Sequence, residues 1–261
     1  MQLSEALQLV ATIARFTLRQ ARQSRLLVLA GLLLVLAFVL AGLAGAVALT
    51  EHAAIQAVLL AASLRAGAVG LIALFAVSAC LREQDDRTLD LVLALDAPRS
   101  HYVLGKLAAF ALIAVALAAA CALPLVFWSP PLAVAGWALS LACEAWLVAA
   151  LGLLLAFTFR QPVTALAALV AFYLLARGLD ALLLLVRDPV FVHDGPFRGF
   201  IESGIALIAW VLPGLHRFTD AGWLGSGGFE QALLWPVLGQ TAVYGALVAA
   251  ASAFDLYRRE F

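Results

Sequence analysis

Charged residues are scarce in this chain of 261 residues: they make up 12% of it, whereas hydrophobic residues make up 65%. A soluble domain of this size is nearer half apolar and a quarter charged. The apolar excess is more than one core can bury, so the composition argues against a soluble globular fold. The formal net charge is zero, and this lack of a basic excess argues against a nucleic-acid partner.

Cysteine and catalytic motifs are also scarce. The three cysteines, Cys80, Cys121 and Cys143, lie in apolar stretches, and their spacing indicates neither a metal site nor a disulfide framework. No Ser-His-Asp, paired-carboxylate or HExxH arrangement is visible. The phosphate-binding loop of ATPases, Gly-x4-Gly-Lys followed by Ser or Thr, does not occur either. We therefore expect a chain that is not by itself an enzyme and that holds no cofactor or metal.

Long apolar runs are abundant, and they recur along the whole chain. Runs of eighteen or more apolar residues are typical of membrane spans. The sequence therefore predicts an all-α integral membrane protein, one domain over residues 1–261, with six transmembrane helices. The second apolar run is too long for a straight span and contains Arg65, so we place its firm core at Gly67–Cys80 and the part before Arg65 near the outer interface. The expected spans are about Leu26–Leu49, Ala53–Leu81, Leu104–Phe127, Leu132–Phe157, Val163–Val186 and Leu233–Ala253.

The N-terminal segment has a different pattern. On a helical wheel, Arg15, Arg19 and Arg22 share one polar sector, and apolar residues occupy the opposite side, with Thr17 as the main exception. A strongly amphipathic helix with arginines on its polar face is typical of a helix lying in the membrane interface. Residues 1–25 are therefore predicted to form an interfacial helix, with packing on a partner or domain of its own as the alternative.

Basic residues set the expected orientation, because loops on the cytoplasmic side carry an excess of Lys and Arg. The six-span arrangement predicts that both termini are cytoplasmic, with a cytoplasmic loop at 82–103 and an extracytoplasmic loop at 187–232. Within the outer loop, Ile205–Leu212 is too short to span and is expected to form a short re-entrant helix. The basic residues expected on the cytoplasmic side are Arg15, Arg19, Arg22, Arg25, Arg82, Arg87, Arg99, Lys106, Arg160, Arg258 and Arg259. Those expected on the outer side are Arg177, Arg187, Arg198 and Arg217.

The cytoplasmic loop is the most informative segment. It continues the second span with charged residues, adds a short leucine-bearing helix at Leu89–Leu95, and turns at Pro98-Arg99 into the third span. A leucine face flanked by charges suits a groove on a cytoplasmic partner. The same leucines would also suit the membrane surface, and both interpretations stay open on spacing alone.

This loop resembles the signature loop of type-2 ABC transporter permeases. The resemblance lies in Glu83, in the Thr88–Leu91 segment as a coupling helix, in Pro98-Arg99, and in Gly105-Lys106. The N-terminal helix is similar to that family's elbow helix. The stretch Val211-Leu212-Pro213 resembles the outer segment of the multicopper enzyme maturation permease group. One departure is Arg87, where the family often has glycine.

The resemblance implies the permease subunit of an ATP-binding-cassette exporter in the inner (plasma) membrane. Such a subunit pairs with a second copy or a similar paralogue, and a separate cytoplasmic ATP-binding subunit supplies ATP hydrolysis and magnesium. The alternatives are an ion-gradient-driven secondary carrier and a non-transporting membrane scaffold or assembly factor. The residues that the resemblance assigns to coupling with the ATPase are Glu83, Asp85, Asp86, Arg87, Thr88, Leu89, Asp90, Leu91, Leu93 and Asp96, with Arg15 and Arg19 supporting them.

Glu144 is an acidic residue near the middle of the fourth expected span. A charge at that depth is costly unless it is paired, neutralised or hydrated. It is expected either to line a substrate path or to form a structural tie to Arg65 or to a polar group on a neighbouring helix. Arg65 could instead extend to the outer headgroups. Arg177 and Asp180, three residues apart, are expected to form a local ion pair at the outer boundary.

Overall fold

The structure is a computed structural model that describes residues 3–47, 52–86, 99–187, 203–204, 207, 212–219 and 234–258. These residues form helices and short connections, and no strand occurs among them. Two short 3₁₀ segments lie at Leu123–Phe127 and Leu215–Thr219. The α-helices are α1 (Leu3–Gln23), α2 (Leu26–Val47), α3 (His52–Asp85), α4 (Arg99–Ala122), α5 (Pro131–Thr158), α6 (Pro162–Arg187) and α7 (Leu234–Arg258).

Six of these helices, α2 to α7, are long and apolar enough to cross a membrane. They correspond one to one with the six runs identified in the sequence, so the prediction of an all-helical chain with six candidate spans is confirmed. The expected short outer helix at Ile205–Leu212 lies mostly outside the described residues. Proline residues mark several boundaries, with Pro131 and Pro162 opening α5 and α6, because proline is tolerated in the first turn of a helix.

Arg65, the charged residue within the second apolar run, lies inside a continuous helix. Helix α3 continues through this position over 34 residues. Leu60, Leu64 and Ala68 on either side of Arg65 are buried, and Arg65 itself is only 3% exposed. The arginine neither breaks the helix nor extends to the headgroups, because a carboxylate on α5 neutralises it inside the protein.

Helix α5 is the centre of the bundle and packs against α3, α4, α6 and α7. Small residues allow this close approach. A Cβ at Gly152 would lie 3.3 Å from the Cβ of Ala76 on α3, and a Cβ at Gly245 on α7 would lie 2.5 Å from the ring of Trp146. In contrast, α2 contacts mainly α3 and leaves residues such as Leu32 and Leu36 exposed. An apolar exposed face on a helix of this length is suited to lipid.

Helix α1 packs against α4. Ile13, Ala14 and Thr17 are buried, and the Thr17 hydroxyl donates to the carbonyl of Ile13. That internal hydrogen bond explains how a threonine is accommodated on the apolar side of the helical wheel. The arginines, including Arg15 and Arg19, are exposed. The amphipathic helix therefore uses its apolar side on the chain's own bundle and presents its arginines outward.

Gly105 is the contact point between α1 and α4. A Cβ at this position would lie 2.8 Å from the Cβ of Ile13 and 3.2 Å from the carbonyl oxygen of Val10. We expect Gly105→Leu to lower the free energy of unfolding in detergent by about 1–3 kcal/mol, because the leucine side chain overpacks the interface between α1 and α4. The matched control is Gly70→Leu, since a Cβ at Gly70 meets nothing within 4 Å. Equal stability of the two variants would contradict the described packing of α1.

Candidate functional site

Two clusters of buried ionisable side chains lie inside the bundle. The first, called the central cluster, consists of Arg65, Ser140, Glu144, Tyr173 and Arg177. Its focus is Glu144, which is fully buried near the middle of α5. The Glu144 Oε2 atom accepts a hydrogen bond of 2.6 Å from Nη1 of Arg65. Its Oε1 atom accepts bonds of 2.8 Å from the Tyr173 hydroxyl and 3.0 Å from Nη1 of Arg177.

Among the described residues, the hydrogen-bond partners of Arg65 all lie on α5. Its Nη2 atom donates to the Ser140 hydroxyl at 2.8 Å and approaches the carbonyl oxygen of Trp137 at 3.4 Å. The guanidinium also lies over the Trp137 ring, with 5.1 Å between its central carbon and the ring centroid, a cation–π arrangement. The Ser140 hydroxyl in turn donates to the Trp137 carbonyl. Residues on three consecutive turns of α5 therefore provide the hydrogen bonds and the cation–π contact of one arginine on α3.

Arg177 is part of this cluster. Glu144 and Arg177 lie at similar distances from the turn that joins α5 to α6, about 20 Å at 1.5 Å per residue. The side chain of Asp180, the partner expected from the sequence, lies outside the described part of the structure. Tyr173, one helical turn before Arg177, was not singled out in the sequence.

The charges of the central cluster do not cancel. One carboxylate faces two guanidinium groups, so the described side chains carry one excess positive charge. Arg65 is buried, whereas the Arg177 side chain is 36% exposed. Only the Nη1 atom of Arg177 has hydrogen-bond partners among the described residues, namely Glu144 and the Tyr173 hydroxyl. Among the described residues, the cluster therefore carries a net positive charge, and the Nε and Nη2 donors of Arg177 have no hydrogen-bond partner there.

A cavity of about 210 Å³ lies beside the central cluster, between α5, α6 and α7. Tyr173 belongs to both features: its hydroxyl bonds to Glu144, and its side chain lines the cavity. Pro213 and Leu215, just before and at the start of the second short 3₁₀ segment, also line the cavity. The remaining lining is almost entirely apolar and consists of Leu147, Val148, Leu151, Leu169, Phe172, Tyr244, Leu247 and Val248.

The second cluster, called the base cluster, consists of Glu83, Tyr102 and Lys106. Glu83 is near the end of α3 and is 6% exposed, while Lys106 in α4 is fully buried. The ammonium of Lys106 forms an ion pair with Glu83 Oε1, and the Tyr102 hydroxyl donates to Oε2 at 2.6 Å. Glu83 was assigned to partner contact by the resemblance, but the structure places it in the interior, where it joins α3 to α4.

Further contacts secure the same end of the bundle. The Gln84 amide donates to the carbonyl of Ala156 near the end of α5 at 3.0 Å. Arg99 donates to the carbonyl of Leu256 in the last turn of α7 at 2.8 Å, where a cation also interacts favourably with the helix dipole. Residues 87–98, which connect α3 to α4, therefore begin and end at points that are tied to the bundle.

The other residues expected to couple to a partner are placed as follows. Asp85, Asp86, Arg15 and Arg19 are exposed, consistent with a surface role. The segment Arg87, Thr88, Leu89, Asp90, Leu91, Leu93 and Asp96 lies outside the described residues, so the predicted coupling helix stays a prediction.

Comparison with known proteins gives no independent identification. No protein-family model matches the chain, and no curated protein matches it. Within the described residues, no group of three or more His, Cys, Asp or Glu side chains is placed to hold a metal ion. The functional assignment therefore rests on the pattern of the loop and on the geometry of the central and base clusters.

Proposed function

We propose that the chain is the transmembrane permease subunit of an ATP-binding-cassette exporter in the plasma membrane. Both termini and the loop of residues 82–103 face the cytoplasm, where the arginine-rich end of the bundle lies. A separate subunit binds ATP and magnesium and docks on the coupling segment within residues 83–96. A second permease copy, or a similar paralogue, completes the transport path.

The observation that carries the proposal is the base cluster beneath the loop. The Glu83–Lys106 ion pair fastens the end of α3 to the start of α4, on both sides of the loop that resembles a coupling segment. Force applied to a flexible connection between free helices would be lost as local motion. Force applied to residues 87–98 moves α3 and α4 together, and α5 packs on both of them.

The proposed mechanism is mechanical coupling of the two ends of the bundle. Closure of the ATP-bound partner pair presses on the coupling segment, and the spans rock between inward-facing and outward-facing states. The central cluster lies on this route, because Arg65 belongs to α3 and Glu144 to α5. A shift of α3 relative to α5 must strain or break the bond between their side chains.

An ion-gradient-driven carrier is the second candidate, and the central cluster favours it more than the sequence did. Ionisable groups gathered at mid-membrane depth are common in such carriers. However, both oxygens of Glu144 already accept hydrogen bonds from arginine or tyrosine donors. An ion or proton that used this carboxylate would have to displace an arginine, so we rank the ATP-driven permease first.

Co-expression with the ATP-binding subunit expected to be encoded beside this chain tests the proposal. We expect the two proteins to co-purify with ATPase activity, and Leu91→Asp to abolish co-purification or reduce ATP hydrolysis at least severalfold. The matched control is Gln161→Asp, which adds the same charge at an exposed position in the α5–α6 turn. The proposal fails if no ATPase associates with the wild type, or if Leu91→Asp behaves like Gln161→Asp.

A further inference from the structure

We infer that the central cluster and the neighbouring cavity form a binding site for an amphipathic organic anion, with a carboxylate or phosphate head and an apolar body. The head binds Arg177, and the body occupies the cavity between α5, α6 and α7. Its role as the transported substrate rests on the proposed function, whereas the binding site itself depends only on this chain.

The head-group assignment follows from the unused donors of Arg177. A guanidinium carries five N–H donors, and only those of Nη1 have partners among the described residues. Leaving an arginine partly unpaired at mid-membrane depth is costly. An acceptor with a negative charge removes this cost and also balances the excess positive charge of the cluster. Bidentate pairing with arginine favours a carboxylate or a phosphate as that acceptor.

The position of the cavity defines the rest of the ligand. Arg177 lies one turn along α6 from Tyr173, and its Nη1 atom is 3.2 Å from the Tyr173 hydroxyl. The Tyr173 side chain lines the cavity. A head bound at the unused donors of Arg177 therefore lies next to an apolar compartment, and a ligand that extends from the head reaches it past Tyr173.

The cavity volume limits the apolar body. An engineered apolar cavity of about 150 Å³ stays dry and binds benzene. The cavity of about 210 Å³ is somewhat larger, and it accommodates an aryl group or a short alkyl chain. Polysaccharides, peptides and inorganic ions do not match this combination of size, apolar lining and a single positive group.

Binding of radiolabelled octanoate to the purified chain in lipid nanodiscs, corrected for empty nanodiscs, tests the inference. We expect saturable binding that excess unlabelled octanoate displaces and 1-octanol does not. Arg177→Gln is expected to weaken binding roughly tenfold or more, because a charge-assisted hydrogen bond is lost. Arg177→Lys, which keeps the positive charge, should retain most of the binding.

A pair of cavity variants tests the second half of the site. Val248 lines the cavity and is buried. Val248→Phe should fill the cavity and reduce octanoate binding, whereas Val248→Ala should leave binding intact. Asp180→Asn removes the acidic residue nearest to Arg177 in the sequence of α6, and it should not reduce binding. The thermal stability of every variant is measured beside its octanoate binding, so that loss of the fold is not mistaken for loss of the site.

The inference is overturned if wild-type protein shows no saturable octanoate binding, if 1-octanol displaces octanoate equally well, or if Arg177→Gln binds as wild type does. It is also overturned if Val248→Phe has no effect or if Asp180→Asn abolishes binding. None of these measurements involves an ATPase. Failure here leaves the permease proposal standing, and failure of ATPase co-purification leaves the binding site standing.

Discussion

Replacing Glu144 with glutamine is expected to destabilise the fold by about 3–5 kcal/mol, the range found when one partner of a buried ion pair is removed. The substitution keeps the size of the side chain and removes only its charge. Two guanidinium groups, those of Arg65 and Arg177, then remain without their common counter-charge. The free energy of unfolding in detergent, measured by titration with a denaturing detergent, gives the effect directly.

Single replacements of the three charged members of the central cluster should destabilise the fold to different extents, in a fixed order. Arg65→Met leaves the Glu144–Arg177 pair in place, so its effect should be smaller than that of Glu144→Gln. Arg177→Met should have the smallest effect, because that side chain is 36% exposed and Arg65 still neutralises Glu144. Arg258→Met, at an exposed arginine of α7, is the control and should change stability by no more than about 0.5 kcal/mol. Equal effects of Glu144→Gln and Arg258→Met would contradict the geometry of the cluster.

Breaking the base cluster is expected to have the second large effect. Glu83→Met leaves the buried Lys106 ammonium unpaired and removes the acceptor of the Tyr102 hydroxyl. Lys106→Met leaves a buried carboxylate. Each single change is therefore expected to cost about 3–5 kcal/mol, whereas the double replacement by methionine should be far less costly than the sum of the two. The double-mutant cycle measures this coupling.

Two exposed carboxylates at the end of α3 provide the control for the base cluster. Asp85 and Asp86 are exposed, so Asp85→Asn and Asp86→Asn should each change stability by no more than about 0.5 kcal/mol. Additive effects of Glu83→Met and Lys106→Met would show that the two side chains do not interact. If the proposed function holds, the folded double variant should still bind the ATPase but couple ATP hydrolysis to transport less well.

The sequence was sufficient for the helices because their signals are local. A run of apolar residues long enough to span a bilayer is visible without any knowledge of its neighbours. The same reasoning marked Glu144 as unusual and named Arg65 as a possible partner. It also proposed that α1 is amphipathic, although its packing on α4 through Gly105 required the structure.

Side-chain pairing between distant helices was much harder to predict. Lys106 was expected at the mouth of a span, where a lysine ordinarily extends toward water, but it is fully buried against Glu83. This long-range partner removes the cost of burying the charge of Lys106, and nothing in the local sequence reports it. Tyr173 was likewise not singled out in the sequence, and the bond between Arg177 and Glu144 was not expected.

Site-specific photo-cross-linking from residue 91 would detect an ATP-binding subunit docked on the proposed coupling segment. A benzophenone amino acid replaces Leu91 in the coupling segment or, as the control, Gln161 in the other turn at the same end of the bundle. We expect position 91 to cross-link to the co-expressed ATP-binding subunit and position 161 to give much less product. If position 91 gives no cross-link to an ATP-binding subunit, or no more than position 161, the chain is not an ATP-driven permease coupled through this loop.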